Sequence, residues 1–126
     1  MMAAKILIIE DNSPLAESLA IFLNEVGYQT SLAKNLEQGI GKALAEWPDL
    51  ILTDLNLSDV TGVDAITILK KIPLTSAIPI IVLTAKTARR LKTQALRAGA
   101  AEYLLMPIAP RDLLNVVRRY CRPNPS

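Results

Sequence analysis

The chain is poor in cysteine, in aromatic side chains and in long apolar runs. Cys121 is its one cysteine, so no internal disulfide can form, and a reducing cytosol is the simplest setting. Aromatic residues make up 4% of the sequence and apolar residues 51%. The core must therefore be built from Leu, Ile, Val and Ala, the mixture expected of helices packed on a parallel sheet. The run Ile6-Leu7-Ile8-Ile9 follows a lone lysine. It is too short for a signal-peptide core or a membrane span, and acidic residues follow at once. There is no repeat, low-complexity tract or linker. The length of 126 residues suits one domain, long enough to bury a core without staples.

Charge is unevenly spread. Residues 1–85 carry five Lys/Arg and ten Asp/Glu, a net −5, whereas residues 86–126 carry nine Lys/Arg and two Asp/Glu, a net +7. Such asymmetry reports a partner surface rather than a fold.

Apolar runs alternate with helix-period segments. Lys5 to Ile9 reads as a buried strand. Ser13 and Pro14 open a helix as N-cap and first residue, with Leu15, Leu19, Phe22, Leu23 and Val26 on one face and Gly27 as the stop. Tyr28 to Ala33 is a second strand. Asn35 caps a helix to about Glu46, with Leu36, Ile40 and Leu44 inward. Leu50 to Asp54 is the third strand, Leu55 to Thr61 a loop, and Val63 to Lys71 a helix with Val63, Ile66 and Leu69 inward. Ile80 to Thr84 is the fourth strand. A basic helix runs from about Ala88 to Ala98 and stops at Gly99. Glu102 to Leu105 is a short fifth strand, and Pro110 starts a last helix reaching about Cys121, with Leu113, Leu114, Val117 and Tyr120 inward. Residues 1–122 form the domain, and residues 123–126 read as a frayed tail. Five β-then-α units with short connections predict an α/β fold, a parallel sheet with helices on both faces.

Polar residues interrupt this pattern at strand ends: Glu10 and Asp11 after the first, Asp54 at the third, Thr84 at the fourth. In open α/β sheets the carboxyl ends of the strands share one edge, where ligands bind, so these residues should converge. Three carboxylates together repel one another and raise their own pKa values. A hard divalent cation with retained waters, Mg²⁺ or Mn²⁺, relieves the conflict. The chemistry implied is phosphoryl transfer to Asp54, with Thr84 donating a hydrogen bond to a phosphoryl oxygen.

Several segments, in order and at their spacings, resemble one family: Ile9-Glu10-Asp11-Asn12, Pro48 through Asp54, Gly62, Pro79 to Leu83 followed by Thr84-Ala85, and Ala98-Gly99-Ala100-Ala101-Glu102-Tyr103. They resemble receiver domains of bacterial two-component response regulators, of the stand-alone chemotaxis-regulator kind, over nearly the whole chain. The resemblance implies a flavodoxin-like, doubly wound (βα)5 fold with strand order 2-1-3-4-5. It implies Asp54 as phosphoacceptor, Glu10 and Asp11 with Asp54 and the Asn56 backbone carbonyl as metal ligands, and Thr84 and Tyr103 as switch residues. Tyr103 reads equally well as an edge aromatic. The partners implied are a histidine kinase or phosphotransfer protein, in the cytoplasm. The module is then no enzyme beyond self-phosphorylation and self-dephosphorylation on Asp54.

One position departs from the family pattern. Met106 stands before Pro107, where the family places a lysine that pairs with the acceptor carboxylate. A charge pair near 4 Å at a protein surface is worth roughly 4 kcal/mol before desolvation, and a thioether, which fills gaps well, supplies none of it. Lys86, two residues after Thr84, is the candidate compensating cation. The same departure motivates an alternative, a phosphorylation-independent pseudo-receiver acting as an interaction scaffold. A flavin binder on the same topology is disfavoured, because the acidic Glu10-Asp11-Asn12-Ser13 loop repels a cofactor phosphate and lacks glycines for close backbone approach, and a small phosphatase because the sequence offers no residues for a substrate pocket. Arg89, Arg90, Lys92, Arg97, Arg111, Arg118, Arg119 and Arg122 read as a solvated face or as a docking surface for an acidic protein or a second copy. No nucleic-acid reader motif accompanies them. Asp59 and Asp64 read as loop and first-turn residues, and Cys121 as buried and inert.

Overall fold

A computed structural model describes residues 4–123. Five strands, β1 (Lys5–Ile9), β2 (Gln29–Ala33), β3 (Leu50–Thr53), β4 (Ile80–Thr84) and β5 (Glu102–Leu105), alternate with five helices, α1 (Ser13–Glu25), α2 (Leu36–Glu46), α3 (Gly62–Lys71), α4 (Arg89–Ala98) and α5 (Pro110–Val117). The strands form one sheet in the order β2-β1-β3-β4-β5, with every pair parallel. This is the flavodoxin-like arrangement expected. Apart from Pro123, the expected tail lies outside the described residues.

Alternation along the central strands divides the core. Leu7, Ile9, Ile51, Ile80 and Val82 face α2, α3 and α4, whereas Ile6, Ile8, Leu50, Leu52, Ile81 and Leu83 face α1 and α5. Strands buried on both faces need continuous apolar runs, and each fully buried Leu or Ile contributes roughly 2 kcal/mol. β5 is an edge strand and only half-buried.

Several local expectations shift. Asn12, not Ser13, caps α1, its side chain accepting from Leu15 N at 3.1 Å, and Ser13 and Pro14 lie inside the first turn. On that helix Ala16, Ala20 and Leu23 are the buried residues, because small side chains let the helix sit close to the sheet. Leu44 is 39% exposed, and Gly39 and Ala43 take the inward positions on α2. β3 ends at Thr53, leaving Asp54 just beyond the strand. Helix α5 ends at Val117 rather than near Cys121. Val116 joins Leu113 and Val117 in its buried face, while Leu114 and Tyr120 are half-buried.

Candidate functional site

The chain leaves β1, crosses to the outer strand β2, then returns to β3 on the other side of β1. Connections therefore diverge between β1 and β3, and a crevice opens at their carboxyl ends. Register places Ile9 beside Thr53, and Thr53 beside Val82, so the residues following β1 and β3 emerge side by side. Glu10, Asp11, Asn12, Asp54, Asn56, Thr84 and Met106 line one open hollow of about 450 Å³. The convergence expected of Glu10, Asp11, Asp54 and Thr84 is thus present in space, and Asn56 joins them on the same hollow.

Glu10 is 6% exposed and lines the hollow beside Asp54. Burial first, then the charge and hydrogen bond of Asp54, then the charge of Asp11, push the Glu10 pKa up to about 7, against a small opposing pull from the Asp11 backbone N–H. A second carboxylate in the same crevice disfavours the charged form of Glu10. One Asp54 oxygen accepts from Leu55 N at 2.6 Å. Asp11 and Asn56 are exposed. Among the described residues, no three His, Cys, Asp or Glu side chains stand close enough to cage an ion by themselves. The hollow instead offers carboxylates at its base and an exposed loop residue at its rim, all hard oxygen donors. That set suits Mg²⁺, which takes one or two carboxylates and retains waters, better than a dedicated protein cage.

Thr84 is buried at the end of β4. Its side-chain oxygen accepts from Lys86 N at 3.3 Å, and its carbonyl accepts from Met106 N at 2.8 Å. The half-buried Tyr103 donates from its hydroxyl to the Lys86 carbonyl at 2.7 Å. Burial, then the charge of Asp54, raise its pKa above the ordinary tyrosine value. Lys86 is exposed and lines a neighbouring hollow with the β3–α3 loop and Leu91, while Met106 lines the acidic one. The Met106–Pro107 peptide is cis. Cys121 is half-buried, and burial pushes its thiol up to about 11, which keeps it unreactive.

Asp59, read from the sequence as a loop residue, has a larger part. Its two carboxylate oxygens accept from Leu36 N and Glu37 N, at 3.0 Å each. A contact spanning more than twenty residues leaves no sequence signal.

An acidic crevice at the β1/β3 divergence of a five-stranded sheet defines a flavodoxin-like signalling module of the receiver kind. The chain belongs to the response regulator receiver domain family, whose model matches residues 6–118. It is 39% identical over 114 residues to the phosphate regulon transcriptional regulatory protein PhoB of Pseudomonas aeruginosa, covering 90% of this chain and 50% of that protein. It is 34% identical to the DNA-binding response regulator MtrA of Mycobacterium leprae, covering 98% of this chain and 53% of that protein. The chain thus spans about half the length of the curated relatives it matches. A putative response regulator from Chloroflexus aurantiacus superposes with a TM-score of 0.89 at 28% identity, covering 94% of this chain and 98% of that one. The receiver domain of a sensor histidine kinase from P. aeruginosa, solved with a magnesium ion in its active site cleft, superposes with a TM-score of 0.86 at 27% identity, over 94% of this chain and 98% of that one.

Proposed function

We propose that this receiver domain accepts a phosphoryl group on Asp54 from a phosphohistidine of a histidine kinase or phosphotransfer protein, in the cytoplasm, and signals by altering its α4-β5-α5 surface. The observation that carries this reading is the shared hollow lined by Asp54, Glu10, Asp11, Asn56 and Thr84.

In the reaction, a carboxylate oxygen of Asp54 forms a bond to phosphorus as the bond from phosphorus to the histidine nitrogen breaks. The nitrogen leaves with the electron pair, and the product is an acyl phosphate. Leu55 N orients the acceptor by its bond to one carboxylate oxygen. Glu10, Asp11, Asp54 and the Asn56 carbonyl would hold Mg²⁺ (or Mn²⁺), which when bound offsets charge on the phosphoryl oxygens. Thr84 lines the same hollow and would donate a hydrogen bond from its hydroxyl to a phosphoryl oxygen. Tyr103 follows through the Lys86 backbone, whose N–H donates to Thr84 and whose carbonyl accepts from Tyr103.

On the output side, Arg89, Arg90, Lys92, Arg97, Arg111, Arg118, Arg119 and Arg122 are exposed on or beside α4 and α5. Arg119 meets Glu102 at 3.7 Å, and it is the one of these eight that has a carboxylate partner among the described residues. Unpartnered positive charge of this density suits an acidic protein or the acidic end of a second copy.

Intact-protein mass spectrometry after treatment with Mg²⁺ and acetyl phosphate tests the acceptor. The parent should gain one phosphoryl group and Asp54→Asn none. An unmodified parent overturns the assignment.

A second reading has its own observation. Met106 occupies the hollow's wall and offers no charge to a phosphoryl group. On that reading the domain is a phosphorylation-independent scaffold, and beryllium fluoride leaves the affinity for its partner unchanged.

A further inference from the structure

We propose that Asp59 is a positioning residue for the acidic site, resting on the cation reading above: its carboxylate ties the β3–α3 loop to the N-terminus of α2 and so sets where the Asn56 carbonyl stands relative to Glu10 and Asp11.

The loop between Thr53 and Gly62 is fixed at its start, where Leu55 is buried in the core and Asp54 N donates to Ile9 O at 3.3 Å, but not along its far side. Asn56, Ser58, Asp59 and Thr61 are exposed. It is closed on itself by Gly62 N donating to Leu55 O at 3.0 Å and by an Asn56–Thr61 bridge. Those bonds set the loop's internal shape and leave its tilt over the sheet open. Leu57 and Val60 rest partly buried on the core, a contact without direction. Asp59 supplies the direction, because both of its oxygens are engaged on adjacent backbone N–H groups of another element.

The first turn of a helix leaves four N–H groups without intrahelical partners. In α2 the Asn35 side chain serves one of them, accepting from Gln38 N at 2.9 Å, while the Asn35 carbonyl takes the first helical bond from Gly39 N at 3.0 Å. Asp59 serves two more, Leu36 N and Glu37 N. Desolvation acts to raise the Asp59 pKa, but the N–H groups of Leu36 and Glu37 outweigh it and hold the carboxyl below its ordinary value. The helix is itself seated on β1, because Gly39 lies so close that an added Cβ would meet Ile9 Cδ1 at 2.6 Å. Ile9 is the residue before Glu10. A continuous path therefore runs from Glu10 through Ile9, α2 and Asp59 to the loop that carries Asn56. Mg²⁺ demands near-octahedral geometry, so a loop free to tilt binds it less well.

Mg²⁺ alone, titrated into the full chain and followed by amide chemical shifts around Asp54, tests this role. At high ionic strength, where distant charge is screened, Asp59→Ala should weaken Mg²⁺ binding by about tenfold, as loss of a supporting partner typically does. Asp59→Asn keeps one acceptor oxygen and should lose less; it also covers the case in which the alanine variant does not fold. Asn35→Ala strips the same helix of its other cap, and should lower the melting temperature while leaving Mg²⁺ affinity within about twofold of the parent. Unchanged affinity in Asp59→Ala overturns the proposal, as does an Asn35→Ala variant weakened to the same degree. A parent that never saturates with Mg²⁺ removes the cation reading itself, and this role with it.

Discussion

The Tyr103 hydroxyl donates to the Lys86 carbonyl over 2.7 Å, while the Lys86 N–H donates to Thr84. The backbone of one residue, Lys86, thus joins the end of β4 to the edge strand β5. Tyr103→Phe keeps the ring and deletes the bond, and should lower stability by about 1 kcal/mol. Amide exchange at Lys86 and Thr87 should quicken while the core strands are unaffected. Equal exchange in the two proteins would show that the bond holds nothing in place.

Glu10 makes the fold pH-sensitive. Its folded pKa of about 7 lies above the ordinary 4.5, so the folded chain holds a proton that the unfolded chain has released. Stability is then highest below about pH 4.5, as far as this group is concerned, and falls as pH rises through 7, by up to roughly 3 kcal/mol. Glu10→Gln should match the parent near pH 4.5 and exceed it at pH 8. Denaturant unfolding across this range reads both, and Mg²⁺ should restore stability to the parent alone at the upper end.

Met106 lines the same hollow as the carboxylates. Met106→Lys places an ammonium group there. It should stabilise the metal-free protein at neutral pH by on the order of 1 kcal/mol and weaken Mg²⁺ binding by roughly tenfold through competition for the same charge. Thermal melts and calorimetric titration check the pair of effects, which should have opposite signs.

Gly62 sits against the backbone behind Asp54. A Cβ there would overlap Leu55 Cα and approach Asp54 O to 3.0 Å. Gly62→Ala should lower stability by at least about 2 kcal/mol, with shifts at Asp54 and Leu55 amides, whereas Gly41→Ala, with open space around it, should be neutral or stabilising.

The alternation of apolar runs and helix-period segments was enough to specify the strands and helices, and thereby the edge to which Glu10, Asp54 and Thr84 belong. Strand runs such as Ile6–Ile9 and Ile80–Leu83 are legible because burial on both faces leaves no room for polar residues. Local signals failed where small residues or near neighbours compete. Asn12 took the cap from Ser13, Gly39 and Ala43 displaced Leu44 from the inward face, and α5 closed early at Val117.

Residue order by itself determined the fold class and the residues that meet at the β1/β3 crevice, because hydrophobic periodicity and strand ends are written locally along the chain. Three matters were decided only in three dimensions: the burial of Glu10 beside Asp54 that raises its pKa, the placement of Met106 rather than Lys86 on the acidic hollow, and the Asp59 tie to α2. Each depends on distances between side chains and backbone groups far apart in sequence, which only the packed sheet and helices set.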